Sequence, residues 1–205
     1  MLPHMAQPAL PAPPLPARGD HDDIVVLRDA AWSDYERILA IRGDAPVPRV
    51  TFLEGLLELM SPSKSHESIK SVIGRLVEAW CVEKGVDITP YGSWTLQEPG
   101  AERGAEPDEC YIIGDRDADR PDLAIEVVWT SGGIDKLEVY RKLRVREVWF
   151  YERGALRFFT LQGTRYEEIP KSELLPGADP ALFLRCMAEP TQTDAIRALR
   201  KALSG

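Results

Sequence analysis

The sequence predicts an α/β (α+β) domain, a mixed sheet flanked by helices, with an N-terminal hairpin before it and extra C-terminal strands and a helix after it. Three observations predict this fold. One long stretch carries apolar residues at helical spacing, several short runs are rich in β-branched and aromatic residues, and a second helical segment interrupts those runs. Strands on both sides of a single crossover helix call for parallel and antiparallel neighbours in one sheet.

The elements follow in chain order. Residues 1–22 begin with six prolines among alanine and leucine (Pro3, Pro8, Pro11, Pro13, Pro14, Pro16), a composition that neither propagates a helix nor pairs as a central strand. They read as a flexible tail, with one domain over 23–205. Ala31–Leu39 predicts a short helix, and Arg49–Leu53 with Leu56–Met60 a hairpin turning at Glu54-Gly55. Ile69, Val72, Ile73, Leu76, Val77, Trp80 and Cys81 recur on one stripe, so a helix runs over 64–84 and packs on a sheet, with Gly85 closing it. Strands are expected at Tyr91–Leu96, Glu109–Ile113, Leu123–Trp129, Glu147–Tyr151 and Leu156–Leu161, with a helix at Ile134–Leu143 between the third and fourth. Ile196, Leu199 and Leu203 share one face of a C-terminal helix over Thr193–Leu203.

Composition narrows the function classes. The 205 residues carry a formal net charge of -8, which argues against a constitutive coat for nucleic acid or anionic membrane. Three cysteines without a C-x-x-C pair fit buried thiols in a reducing compartment. With no apolar run of about 20 residues and no basic-then-apolar leader, the expected location is the cytoplasm.

Charge is unevenly spread. Residues 98–122 hold nine acids against three arginines, whereas 136–146 hold five bases (Lys136, Arg141, Lys142, Arg144, Arg146) against Glu138. Acidic strands beside a basic helix suit metal-assisted phosphodiester hydrolysis, the carboxylates holding a hard cation and the bases holding phosphate. Alternation along 122–128 puts Asp122, Ala124, Glu126 and Val128 on one strand face. Glu126 in so apolar a strand is costly to bury as a charge unless a cation compensates it. Its plain alternative is an ion pair with Arg141 or Arg144, and that of Asp108 is a turn residue after Pro107. His66 lies on the apolar stripe near the helix start, pointing inward, to serve either phosphate or a metal-bound water, or to hydrogen-bond a strand carbonyl. Glu67 falls off the stripe and reads as solvated. Trp80 and Trp149 read as packing; Trp129 could stack on a base or close the core edge.

Taken together, Leu53-Glu54-Gly55-Leu56-Leu57-Glu58-Leu59-Met60-Ser61-Pro62, His66 at a helix start, Pro107-Asp108, Pro121-Asp122-Leu123-Ala124-Ile125-Glu126-Val127, Lys136 to Tyr140 and Val145 to Trp149 resemble the Uma-two family of restriction endonucleases. The resemblance spans residues 32–165 and implies the PD-(D/E)XK restriction-endonuclease-like core, helix-strand-strand-strand-helix-strand. It implies Asp108 and Glu126 as ligands of Mg²⁺ (or Mn²⁺), with a lysine orienting the attacking water. Two residues after Glu126, where that lysine would stand, is Val128; Lys136, in the K-x-x-x-Y run, matches the position that resembling proteins use instead. The segment 129–133 and Arg144, where a glycine is usual, also depart from the pattern.

These readings lead to a Mg²⁺-dependent DNA endonuclease. Asp108, Glu126 and Lys136 are its catalytic residues, His66, Arg141 and Lys142 its substrate contacts, and a homodimer is expected by analogy. The alternatives are a nuclease-fold protein that binds nucleic acid or a partner without turnover, and a metal-dependent hydrolase of nucleotides or RNA.

Overall fold

A computed structural model describes residues 20–114, 117–128 and 133–204. The elements run β1 (Asp23–Leu27), α1 (Trp32–Arg42), β2 (Arg49–Leu53), β3 (Leu56–Ser61), α2 (Lys64–Lys84), β4 (Ile88–Pro90), β5 (Leu96–Glu98), β6 (Arg103–Ala105), β7 (Glu109–Ile113), β8 (Leu123–Val128), α3 (Lys136–Leu143), β9 (Glu147–Glu152), β10 (Ala155–Gln162), β11 (Arg165–Ile169), α4 (Pro180–Met187) and α5 (Gln192–Leu203). The proline-rich leader up to residue 19 and Trp129, with the segment to residue 132, lie outside the described residues.

The strands form two sheets, the mixed sheet that the sequence predicts and a second one built around the expected N-terminal hairpin. The larger has the order β11-β10-β9-β8-β7-β4, and the smaller β1-β3-β2-β6-β5. In the larger sheet β8 and β9 are parallel and the other neighbours antiparallel. The order α2, β4, β7, β8, α3, β9 is helix, three strands, helix, strand, with β5 and β6 diverted to the second sheet. That diversion corrects the strand expected at Tyr91–Leu96. The ladder with β7 ends where the Tyr91 N–H donates to the Cys110 carbonyl at 3.0 Å; Gly92 then takes φ +58°, and the chain crosses to pair Leu96 with Ala105 instead.

Local chemistry sets the element ends. Ser63 caps α2 by accepting from the His66 N–H at 3.2 Å, and Gly85 closes it in the left-handed conformation. The α2 stripe packs with α4 and α5 on one face of the large sheet, around Ile125, Val127, Trp149 and Phe158. Trp149 stacks on Phe158 with centroids 3.8 Å apart and meets Phe183 edge-on at 5.3 Å. The opposite face, Ala124 and Val148, meets Val139, Tyr140 and Leu143 of α3 and Leu53, Leu96 and Ala105 of the small sheet. The small sheet's outer face carries Val50, Phe52 and Leu57 under Tyr35 of α1.

The layers are therefore α1, small sheet, α3, large sheet, then α2 with α4 and α5. No described helix is long and apolar enough to cross a membrane. All three cysteines are free and buried.

Candidate functional site

The seam between the two sheets is where polar side chains converge. Alternation on β2 turns Arg49 and Thr51 to the same face as Leu53, and the antiparallel register sets Glu58 of β3 opposite Thr51. All three face the large sheet, where Asp108 and Glu126 are carried at and on the paired strands β7 and β8. Asp108 precedes β7 and Glu126 lies within β8; the Asp108 N–H donates to the Ile125 carbonyl at 3.1 Å.

Glu126 is 2% exposed, and its partners come from α3. The Lys136 Nζ lies 3.7 Å from Glu126 Oε1, 3.7 Å from Glu58 Oε1 and 2.8 Å from Thr51 Oγ1. The Tyr140 hydroxyl donates to Glu126 Oε1. Lys136 and Tyr140 are four residues apart, hence on one helix face, which is what the K-x-x-x-Y spacing does. Burial first, and then the Glu126 carboxylate, hold the Tyr140 phenol well above its ordinary pKa, so it remains a donor. The alternative ion pair of Glu126 with Arg141 or Arg144 does not form. Arg141 grips Glu138 at 2.7 and 2.5 Å, and Arg144 ends α3 at φ 57°.

Asp108, 1% exposed, belongs to a second cluster. Its Oδ2 accepts from the Val127 N–H at 2.6 Å, and its Oδ1 faces His66 Nε2 at 2.9 Å and the Arg49 guanidinium. His66 is fully buried, and its Nδ1 lies 2.8 Å from Asp22 Oδ2. His66 thus bridges two carboxylates, where the sequence left a strand carbonyl or a phosphate open. Arg49 also reaches Glu67 Oε1 at 3.0 Å, so Glu67, expected in solvent, is half-buried in this cluster with Lys70. Burial raises the Asp22 pKa, but hydrogen bonds from His66 and the Ser63 N–H outweigh it and hold the carboxyl below its ordinary value. Asp20 and Asp22 hold the Ser65 and Ser63 N–H groups, so the stretch read as tail is anchored from residue 20 onward.

The structure brings Glu126 and Lys136 together, sets Asp108 and His66 in the adjoining cluster, and leaves Arg141 and Lys142 in the last turn of α3. That turn is separated from Lys136 by the helix length, about 1.5 Å per residue. Among the described residues no group of three or more His, Cys, Asp or Glu side chains is placed to hold a metal ion.

Four site residues escaped sequence reasoning: Glu58, Thr51, Arg49 and Asp22. For Glu58 the signal was present, since an acid inside Leu56-Leu57-Glu58-Leu59-Met60 poses the same burial problem as Glu126. Its Oε2 accepts from the Ile134 N–H at 3.2 Å, and a Cβ at Gly133 would come within 2.4 Å of that oxygen, so glycine allows this close approach.

Residues 32–186 match the family model described as "Uma2: Putative restriction endonuclease". No curated protein matches the chain. The chain is similar to the crystal structure of a "putative nuclease belonging to DUF820" from Anabaena variabilis, at 14% identity over 74% of this chain and 92% of that chain, with a TM-score of 0.45.

Proposed function

The chain belongs to the Uma2 family of restriction-endonuclease-like proteins, and from that premise we propose that it is a Mg²⁺-dependent endonuclease hydrolysing phosphodiester bonds in DNA. The observation that carries the reading is Lys136, whose ammonium lies 3.7 Å from the Glu126 carboxylate although Val128 stands where a strand lysine would be. A lysine that reaches Glu126 from α3 supports turnover over a binding-only module.

The chemistry of the seam fits a hard cation. Glu58 and Glu126 are 4% and 2% exposed and share one ammonium among the described residues, so the three groups together carry a negative charge that is costly to bury. A Mg²⁺ ion is commonly held by one or two carboxylates and keeps several waters. Glu126 and Glu58 would hold Mg²⁺ (or Mn²⁺), which when bound supplies an activated water and offsets charge building on the phosphate. Asp108, the other ligand implied by the resemblance, has both oxygens engaged by this chain and would have to release Arg49 to join them.

The chain's own residues do the rest. Tyr140 fixes the Glu126 carboxylate by its hydroxyl, Lys136 meets the phosphate's negative charge and orients the attacking water, and Glu58 ties the start of α3 through the Ile134 N–H. A homodimer is part of this proposal, because cutting both strands takes two such sites.

Incubation of supercoiled plasmid with the protein and Mg²⁺ or Mn²⁺ tests it. Wild type is expected to nick and linearise, and Glu126→Gln and Lys136→Ala to lose about a hundredfold or more in rate. Absence of cutting with either ion, or undiminished cutting by Glu126→Gln, overturns the reading. Calorimetric titration of Mn²⁺ into Glu58→Gln, expected to bind more weakly than wild type, checks the ligand set independently of turnover.

A further inference from the structure

Beyond the first turn of α3 the face of the large sheet that carries Glu126 opens into a pocket of about 200 Å³. Its floor is Val128 of β8, Phe150 of β9 and Phe159 of β10, and Lys136 forms the wall it shares with the candidate site. The parallel register sets Phe150 directly beside Glu126 and Glu152 beside Val128. Val128 lies two residues along β8 from Glu126 and neighbouring strands lie about 4.8 Å apart, so the floor borders the carboxylate on its own strand and on the next. Phe150 and Phe159 meet edge to face with centroids 5.8 Å apart. Arg157 lies over Phe159 at 4.9 Å and is held there by Glu168 at 2.5 and 3.1 Å, whereas Phe150 is only half-buried.

The volume is below the roughly 300 Å³ at which pockets for drug-sized ligands begin, and suits one flat ring system. Aromatic side chains take the π-face of a base, and a carboxylate such as Glu152 accepts from an exocyclic amino group. Glu152 and Asp135 on the rim disfavour a phosphate inside the pocket, while Lys136 on the shared wall favours one just outside it. A base inside a duplex stack cannot reach such a floor, so the base must be single-stranded or flipped out. We propose that this pocket receives one unpaired, amino-bearing nucleobase of the nucleic acid whose phosphate lies at Glu126 and Lys136. The proposal deepens the nuclease reading and rests on it for the position of the phosphate.

Fluorescence anisotropy without divalent ions tests the pocket apart from cleavage. The probes are a dye-labelled oligo-dC, oligo-dT of the same length, and a base-free backbone of that length. Wild type is expected to bind oligo-dC about tenfold more tightly than the base-free strand, and Phe150→Leu, which keeps an apolar filler, to lose that difference. Glu152→Gln is expected to narrow the preference for oligo-dC over oligo-dT. Equal affinity of wild type for oligo-dC and the base-free strand, or an unchanged preference in Phe150→Leu, overturns the proposal. A plasmid assay on the same preparations separates the two readings. Cutting without base-dependent binding leaves the nuclease and removes the pocket, and base-dependent binding lost in Phe150→Leu supports the pocket even where no cutting occurs.

Discussion

At the scale of single residues, the chemistry turns on which buried groups face each other across the seam. Asp22 shows how a residue at the margin of a proline-rich leader becomes structural. Its carboxylate holds His66 and the Ser63 N–H at the start of α2, and its pKa is lowered from the ordinary 3.8. A depressed carboxylate contributes stability that is full above its unfolded value and is lost as pH falls through the lower folded value. Asp22→Asn is therefore expected to lower stability near neutral pH and to flatten the acid limb below about pH 4. Urea midpoints across pH read this out, and an acid limb identical to that of wild type would remove Asp22 from the account. Tyr140→Phe makes a separate case. It keeps the ring packed and takes the hydroxyl from Glu126, so the fold should survive with a loss of about 1.5–3 kcal/mol while plasmid cleavage drops more than stability does.

Elements explain what sequence reading could reach. The α2 stripe, the β2–β3 hairpin and the β8 alternation were legible because each is a local period set by burial on one face. Strands β1 and β6 and helix α4 were not. The three-residue β6 carries little period, β1 is a continuous Ile24–Leu27 apolar run beside the proline-rich leader with no alternation in its sequence, and α4 starts at Pro180 after a loop, a signal that only its Asp179 cap betrays. The placement of Lys136 beside Glu126 follows from chain order, since a crossover helix after β8 must begin near that strand's end. The approach of Glu58 does not, because it depends on how a second sheet docks. Arg144 adds an element-scale test. It closes α3 with φ 57°, and the Val145 N–H returns to the Tyr140 carbonyl at 3.2 Å, a geometry that favours glycine. Relief of the left-handed cost, about 1–2 kcal/mol, outweighs the extra chain entropy of glycine, about 0.5–1 kcal/mol. Arg144→Gly should then raise the melting temperature by a few degrees at unchanged pH, as calorimetry would show.

For the whole molecule, the two sheets are joined by an apolar contact through α3 and by the polar cluster of Asp108, Arg49 and His66. Arg49 is 5% exposed and belongs to the small sheet, His66 to α2, and Asp108 to the large sheet, so one carboxylate ties three layers. Asp108→Asn would take from Arg49 its buried partner and leave it only the half-exposed Glu67 at 3.0 Å, a loss smaller than the about 3–5 kcal/mol of a buried charge left with no partner. The loss should not be uniform. Protection of β2 and β3 amides from hydrogen exchange should fall before that of β8 and β9, because the small sheet loses the Arg49–Asp108 tie while the large sheet keeps its Trp149–Phe158–Phe183 core. The same variant tests what the family resemblance implies for Asp108. Full stability with abolished cleavage would make it a metal ligand that the chain can spare structurally, whereas lowered stability with early exposure of the small sheet makes it the clasp that holds Glu58 and Thr51 against Glu126 and Lys136.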